Sequence, residues 1–275
     1  MLKIILSLLP FSFAACQQFS YNQVPETAAI GKMELMNIPF DSSAKTIHVF
    51  TALCDNKYQG IVPVPAKIGN GQDPDNNLYW GCAYGMRSYF KNSKNWTFIK
   101  GYRIDSIKFE RIIFKHKKEN YYLVADAYNG KYIRQCTLDF LKSCAGLLKD
   151  TLHLNKKITG ICGNAKLLAY TGHDGLMDFQ LPENFSNKDS IVRDAIVLAC
   201  MSKRYFSPYL KQTGARPLLW STNLMSPEAY TLHDALELYI KDSSPEMLRT
   251  AAARSYSRYQ KCSERAARNL LITGW

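Results

Sequence analysis

The sequence predicts an α/β protein: a mostly parallel, doubly wound sheet with helices on both faces. Three observations carry this expectation. Five short apolar runs (45–54, 121–125, 166–171, 195–199 and 217–220) each stop at polar residues. Runs of this length that are apolar throughout read as strands buried on both faces. Helical patterns alternate with them, which implies crossover connections and parallel order. The chain has 275 residues and is 47% hydrophobic, enough for one large domain.

At the N-terminus, Lys3 is followed by the apolar stretch Ile4–Phe13 and then Ala14-Ala15-Cys16. A short positive region, an apolar region too short to span a bilayer and small residues beyond it read as an export signal over 1–15. Either Cys16 is acylated in a lipobox-like context, or plain cleavage follows Ala14. Both place the protein outside the cytoplasm, in the periplasm or on the cell surface. Residues 16–44 read as a tether, and 45–275 as a single domain with a helical C-terminus.

The elements follow in order. Lys45–Cys54 is the first strand and ends on Asp55-Asn56. The Gly- and Pro-rich stretch Lys57–Asn77 is a long loop of the kind that carries function. A helix is expected over 78–92, with Gly81 and Gly85 on one face and Tyr79 and Trp80 beside the loop as an aromatic wall. Strands are expected at 96–101, 111–115 and 121–125, and a helix at 131–145. Residues 146–164 read as a loop with room for a short helix or strand. After 195–199 the spacing predicts a helix over 202–213 with Gly214 as its C-cap. Ser226-Pro227-Glu228 and Ser244-Pro245-Glu246 each read as a cap, a first helical proline and a favourable acid. They open helices to Lys241 and over 245–271.

Ligands of open parallel sheets sit beyond the carboxyl ends of the strands. That edge would gather Asp55, Asn56, Asp126, His173, Asp174, Cys200, Ser221 and Asn223. His173 and Cys200 follow two strands, and a thiol beside an imidazole is the pairing that makes a thiolate nucleophile. Cys200 also stands just before a helix N-terminus, whose N–H groups favour the thiolate and can hold an oxyanion. No two His and Cys residues have metal-ligand spacing, and no GxSxG elbow occurs.

LLAYTGHDG followed by AIVLACMS resembles the signature of the caspase-like cysteine peptidases: strand, His-Gly, spacer, strand, Ala-Cys. The 27-residue interval from His173 to Cys200 suits that family. The family's glycine after the His is here Asp174, with Gly175 one place later. The resemblance implies a three-layer sandwich and an endopeptidase in which Cys200 attacks and His173 protonates the leaving amine. Backbone N–H groups at Cys200 and near Gly172 or Gly175 would hold the oxyanion. Trp220, Ser221 and Thr222 would border the specificity pocket, with Asp55 or Asp126 contacting a basic side chain. No metal or organic cofactor is required. A non-catalytic binding lipoprotein on the same scaffold is the alternative.

The formal net charge is +12. Residues 91–118 hold nine Lys/Arg against Asp105 and Glu110, a local +7. Besides a peptide or protein substrate, this suggests an anionic membrane surface or polymer as a partner. The basic residues match no nucleic-acid reader motif, so no nucleic acid is expected.

Overall fold

The computed structural model of the chain describes residues 44–154 and 157–275. The expected signal, tether and acylated Cys16 lie outside the described residues. The first strand, β1 (Lys45–Ala52), runs through the centre of the sheet. A long loop leads to α1 (Met86–Lys91), the edge hairpin β2 (Trp96–Tyr102) and β3 (Lys108–His116), then β4 (Tyr121–Tyr128) and α2 (Ile133–Cys144). A two-stranded hairpin, β5 (Lys149–Leu154) and β6 (Lys157–Cys162), occupies the stretch read as a loop with room for one short element. There follow β7 (Leu167–Thr171), β8 (Asp194–Leu198), α3 (Ser202–Thr213), β9 (Arg216–Ser221), α4 (Ala229–Tyr239), α5 (Pro245–Gln260), α6 (Glu264–Leu270) and β10 (Leu271–Ile272).

The eight-stranded sheet has the order β10-β9-β8-β7-β1-β4-β3-β2. Its five central strands, from β9 to β4, are parallel, and they contain the five apolar runs. Parallel strands need crossovers; α1, α2 and α3 lie in three of the four, and the β7–β8 connection holds only a 3₁₀ turn, Gly175–Met177. Ile47, Val49, Leu123, Ala125, Ile196 and Leu198 point to one face, where α1, α4 and α5 pack. Phe50, Val124, Leu168, Tyr170 and Val197 point to the other, beneath α2 and α3. Because successive strand side chains alternate, one apolar run feeds both layers. The result is a three-layer α/β sandwich. The +7 stretch includes the edge hairpin, and β2 lies four positions away from β7.

Three local expectations are corrected. Residues 78–85 are turns, not the start of a helix, so Gly81 does not share a helix face with Gly85. The Asn77 carbonyl accepts from the N–H groups of Trp80, Gly81 and Cys82 at 3.0–3.2 Å, so three successive donors share one acceptor and no regular i→i+4 ladder starts here. Ser226 does not cap α4; its Oγ donates to Glu228, and the helix begins at Ala229. The C-terminal helix breaks at Lys261, which takes a left-handed conformation at φ 56°, and Ser263 caps a second helix. That break turns the chain back so that β10 adds an antiparallel edge to β9. Ser244 does cap α5, accepting from the Met247 N–H, with Pro245 in its first turn.

Candidate functional site: a cleft at the carboxyl ends of β7 and β8

β7 and β8 are neighbours, so the residues after them emerge side by side. Gly172 follows β7 with φ 139°, a region that L side chains rarely adopt, and a Cβ there would press on the Ala52 carbonyl. This bend delivers His173. After β8, Ala199 and Cys200 lead into Met201, whose left-handed φ of 49° swings the chain into α3. His173 and Cys200 thereby line one cleft of about 390 Å³.

His173 is almost buried. Its Nε2 lies 2.7 Å from Asp178 Oδ2. A carboxylate accepts only, so Nε2 carries a proton in this bond, and in the neutral ring Nδ1 is then the lone-pair nitrogen. Nδ1 has no hydrogen-bond partner among the described residues. Asp178 is itself held by the Gly60 N–H at 2.9 Å. A Cβ at position 60 would fall on the Asp178 carboxylate, so only glycine lets the loop approach this closely. The Tyr170 hydroxyl donates to the His173 carbonyl at 2.8 Å, tying the backbone to β7.

Cys200 is a free, half-buried thiol. Its Sγ is 3.4 Å from both the Met225 N–H and the Met225 carbonyl. Burial pushes the thiol's pKa up and the Asp174 carboxylate adds to this, against the Met225 N–H. The thiol's pKa is thus raised by burial, not lowered as expected at a helix N-terminus. All seven described cysteines are free thiols.

The remaining expected site residues divide. Tyr79 lines the cleft, but Trp80 is buried and its indole donates to Glu110 at 2.7 Å. Asp55 caps its own loop, accepting from the Lys57 and Tyr58 N–H groups and from Gln72. Asn56 clasps Val64 with two hydrogen bonds, which shapes the loop wall without entering the cleft. Asp126 is fully buried in an ion pair with Arg111, beneath His48. Asp174 caps the 3₁₀ turn Gly175–Met177 through Oδ1. Trp220 is buried with its ring edge-on to Trp275, and Thr222 donates to the end of α6. Ser221 bonds Ser202 and the Ala199 carbonyl, riveting β8, β9 and α3. None of these, from Trp80 onward, lines the cleft that holds His173 and Cys200.

The oxyanion candidates divide too. The Gly172 N–H is taken by the Leu198 carbonyl at 3.3 Å, whereas the Gly175 N–H has no acceptor among the described residues. The Cys200 N–H has no acceptor among the described residues and remains a donor at the cleft.

The walls come from residues the sequence did not single out. Ile61, Val62 and Val64 stand on one side, Leu224, Met225 and Pro227 on another, with Met177 and Tyr256 nearby. Asp178 also went unnoticed. The signals were faint: an acid one turn beyond the His, and a glycine inside the loop already suspected of function.

No protein-family model matches the chain, and no curated protein or solved structure matches it.

Proposed function

We propose that this protein is a cysteine endopeptidase with Cys200 as nucleophile and His173 as its acid–base partner. One observation carries the reading: a free thiol and an imidazole whose Nδ1 has no partner among the described residues line the same cleft, delivered by adjacent parallel strands. The LLAYTGHDG and AIVLACMS motifs, which resemble the caspase-like peptidases, support it.

In this reading His173 Nδ1 takes the Cys200 proton, and the thiolate attacks the scissile carbonyl carbon. The negative oxygen that develops is met by the Cys200 N–H. As the tetrahedral adduct collapses, the C–N bond breaks and Nδ1–H gives its proton to the leaving amine. A thioester remains. Water then attacks it, losing a proton to Nδ1, and the acid leaves as the thiol is re-formed. Asp178 keeps the ring in the tautomer this requires, and stabilises the imidazolium that forms.

A second reading, a non-catalytic binding scaffold, is favoured by one observation. The resting thiol is pushed toward its neutral form, and Asp174 occupies the place of the family's glycine. A mass-spectrometric cleavage screen of a mixed peptide library separates the two. Cleavage by the wild type, lost in both Cys200→Ala and His173→Ala, is the expected outcome. Absence of cleavage by any form, also after limited proteolysis, would leave the binding scaffold.

A further inference from the structure

We infer that the side chain this cleft selects is a large, uncharged, apolar one. The inference rests on the peptidase reading above and specifies its substrate. Among the described residues, no Asp, Glu, Lys or Arg side chain lines the cleft. The carboxylates that could have balanced a basic substrate are committed elsewhere: Asp126 to Arg111 in the core, and Asp55 to its own loop. Asp178, the nearest to the His, does not line the cleft and spends Oδ2 on His173 and the Gly60 N–H. A charged side chain entering here would lose its water and find no counter-charge.

The mouth of the cleft gives an independent observation. Val62 is 83% exposed, Leu224 is 61% exposed and Met177 is 37% exposed. Isolated exposed apolar residues are ordinary, but three around one concave site form a patch that a ligand can cover. Val62 belongs to the loop that Asn56 clasps at Val64. Leu224 precedes Met225, whose backbone holds Cys200. The apolar rim is thus fixed to the nucleophile on one side and to the Gly60–Asp178–His173 chain on the other. An extended apolar side chain could lie across it while its own carbonyl reaches Sγ.

The test uses the full chain and a set of peptidyl acyloxymethyl ketones. They differ only in the residue whose carbonyl is presented to the nucleophile: Leu, Phe, Asp, Lys or Arg. The thiolate displaces the acyloxy group as a carboxylate and forms a thioether, which peptide mapping locates. The Leu and Phe probes are expected to label Cys200 on the order of 100-fold faster than the charged ones. Val62→Asp and Leu224→Asp should narrow that gap by slowing the apolar probes and speeding the Lys and Arg probes. Both positions are exposed, so melting temperature will confirm that these variants fold. Fastest labelling by the Asp, Lys or Arg probe overturns the inference and leaves the catalytic reading standing. If no probe labels Cys200 faster in the wild type than in His173→Ala, the catalytic reading itself fails, and the inference with it.

Discussion

Two histidine–carboxylate pairs, each with a cysteine beside it, occur in this molecule, and they are opposites. In the core, His48 donates from Nε2 to Asp126 at 3.1 Å, and its Nδ1 accepts the Cys162 N–H at 2.9 Å. Arg111 closes on Asp126 with two bonds of 2.6 and 2.7 Å. His48 and Asp126 are fully buried, and the polar atoms of this network are partnered. At the cleft, His173 makes the matching bond to Asp178, but Nδ1 is left without a partner among the described residues and Cys200 is within reach of solvent. Residue types therefore do not distinguish the buried cluster from the one at the cleft. What distinguishes them is whether the second imidazole nitrogen is spent.

The strongest way to sharpen this contrast is to remove one partner from each cluster. Arg111→Ala strands the Asp126 carboxylate in the core and should cost about 3–5 kcal/mol, read as a lower denaturant midpoint. Asp178→Ala touches a partly exposed pair and should cost under about 1 kcal/mol. Equal losses would break the distinction. The core cluster should also set the acid limit of stability. Burial alone would raise the Asp126 pKa, but Arg111 and His48 hold it well below the usual carboxylate range. Burial lowers the His48 pKa more than Asp126 raises it. Both folded-state values are depressed, so both contributions are present above the unfolded-state values and fade on acidification. Stability should fall first below about pH 6.5 and again below about pH 4.

Next in size is the effect of Asp178 on activity. If it fixes the tautomer of His173, Asp178→Ala should lower peptide cleavage roughly 10–100-fold, the usual cost of losing such a supporting carboxylate. Asp178→Asn keeps an acceptor oxygen and should recover part of that loss. An Asn variant no better than Ala would argue that charge, rather than orientation, is what the carboxylate supplies.

The same contrast explains how far the sequence could be read. The five parallel strands were legible because burial on both faces leaves an unbroken apolar run. His173 and Cys200 were legible because such runs end where ligands bind. Asp55 and Ser221 also stand at or just beyond strand ends, while Asp126 lies inside β4, which runs on to Tyr128 past the expected end at 125; at all three the sequence misleads. Nothing local says that Asp126 meets Arg111, fifteen residues earlier and one strand over. Nor does it say that Ser221 rivets α3. Long-range pairing decides whether a polar strand end faces ligand or protein. The cleft walls were hidden for a related reason: Ile61, Val62 and Leu224 lie in loops whose apolar residues follow no period.

The smallest and most pH-dependent effect belongs to Asp174, the one carboxylate beside the site that is not fully satisfied. Its Oδ1 caps the Leu176 N–H, while Oδ2 is buried without a partner. Burial pushes its pKa up to about 8, against the pull of that N–H and with help from Asp178. Here the folded value is raised above the unfolded one, the reverse of Asp126. Native Asp174 holds its proton where the unfolded chain has released it, so stability declines as pH rises from about 4 to about 8. Asp174→Asn keeps the capping oxygen and cannot ionise. Its melting temperature should match the wild type near pH 4 and exceed it at pH 8, the gap opening steadily as pH rises between the two. The same substitution removes one of the two influences that raise the Cys200 pKa. Alkylation of Cys200 by iodoacetamide at pH 8 should therefore quicken in the variant. Stabilisation without faster alkylation would show that the strain at Asp174 belongs to the turn alone. Both changes together would show that an unsatisfied acid beside the cleft holds the thiol in its neutral form, a restraint that the fully paired acid of the core does not place on Cys200.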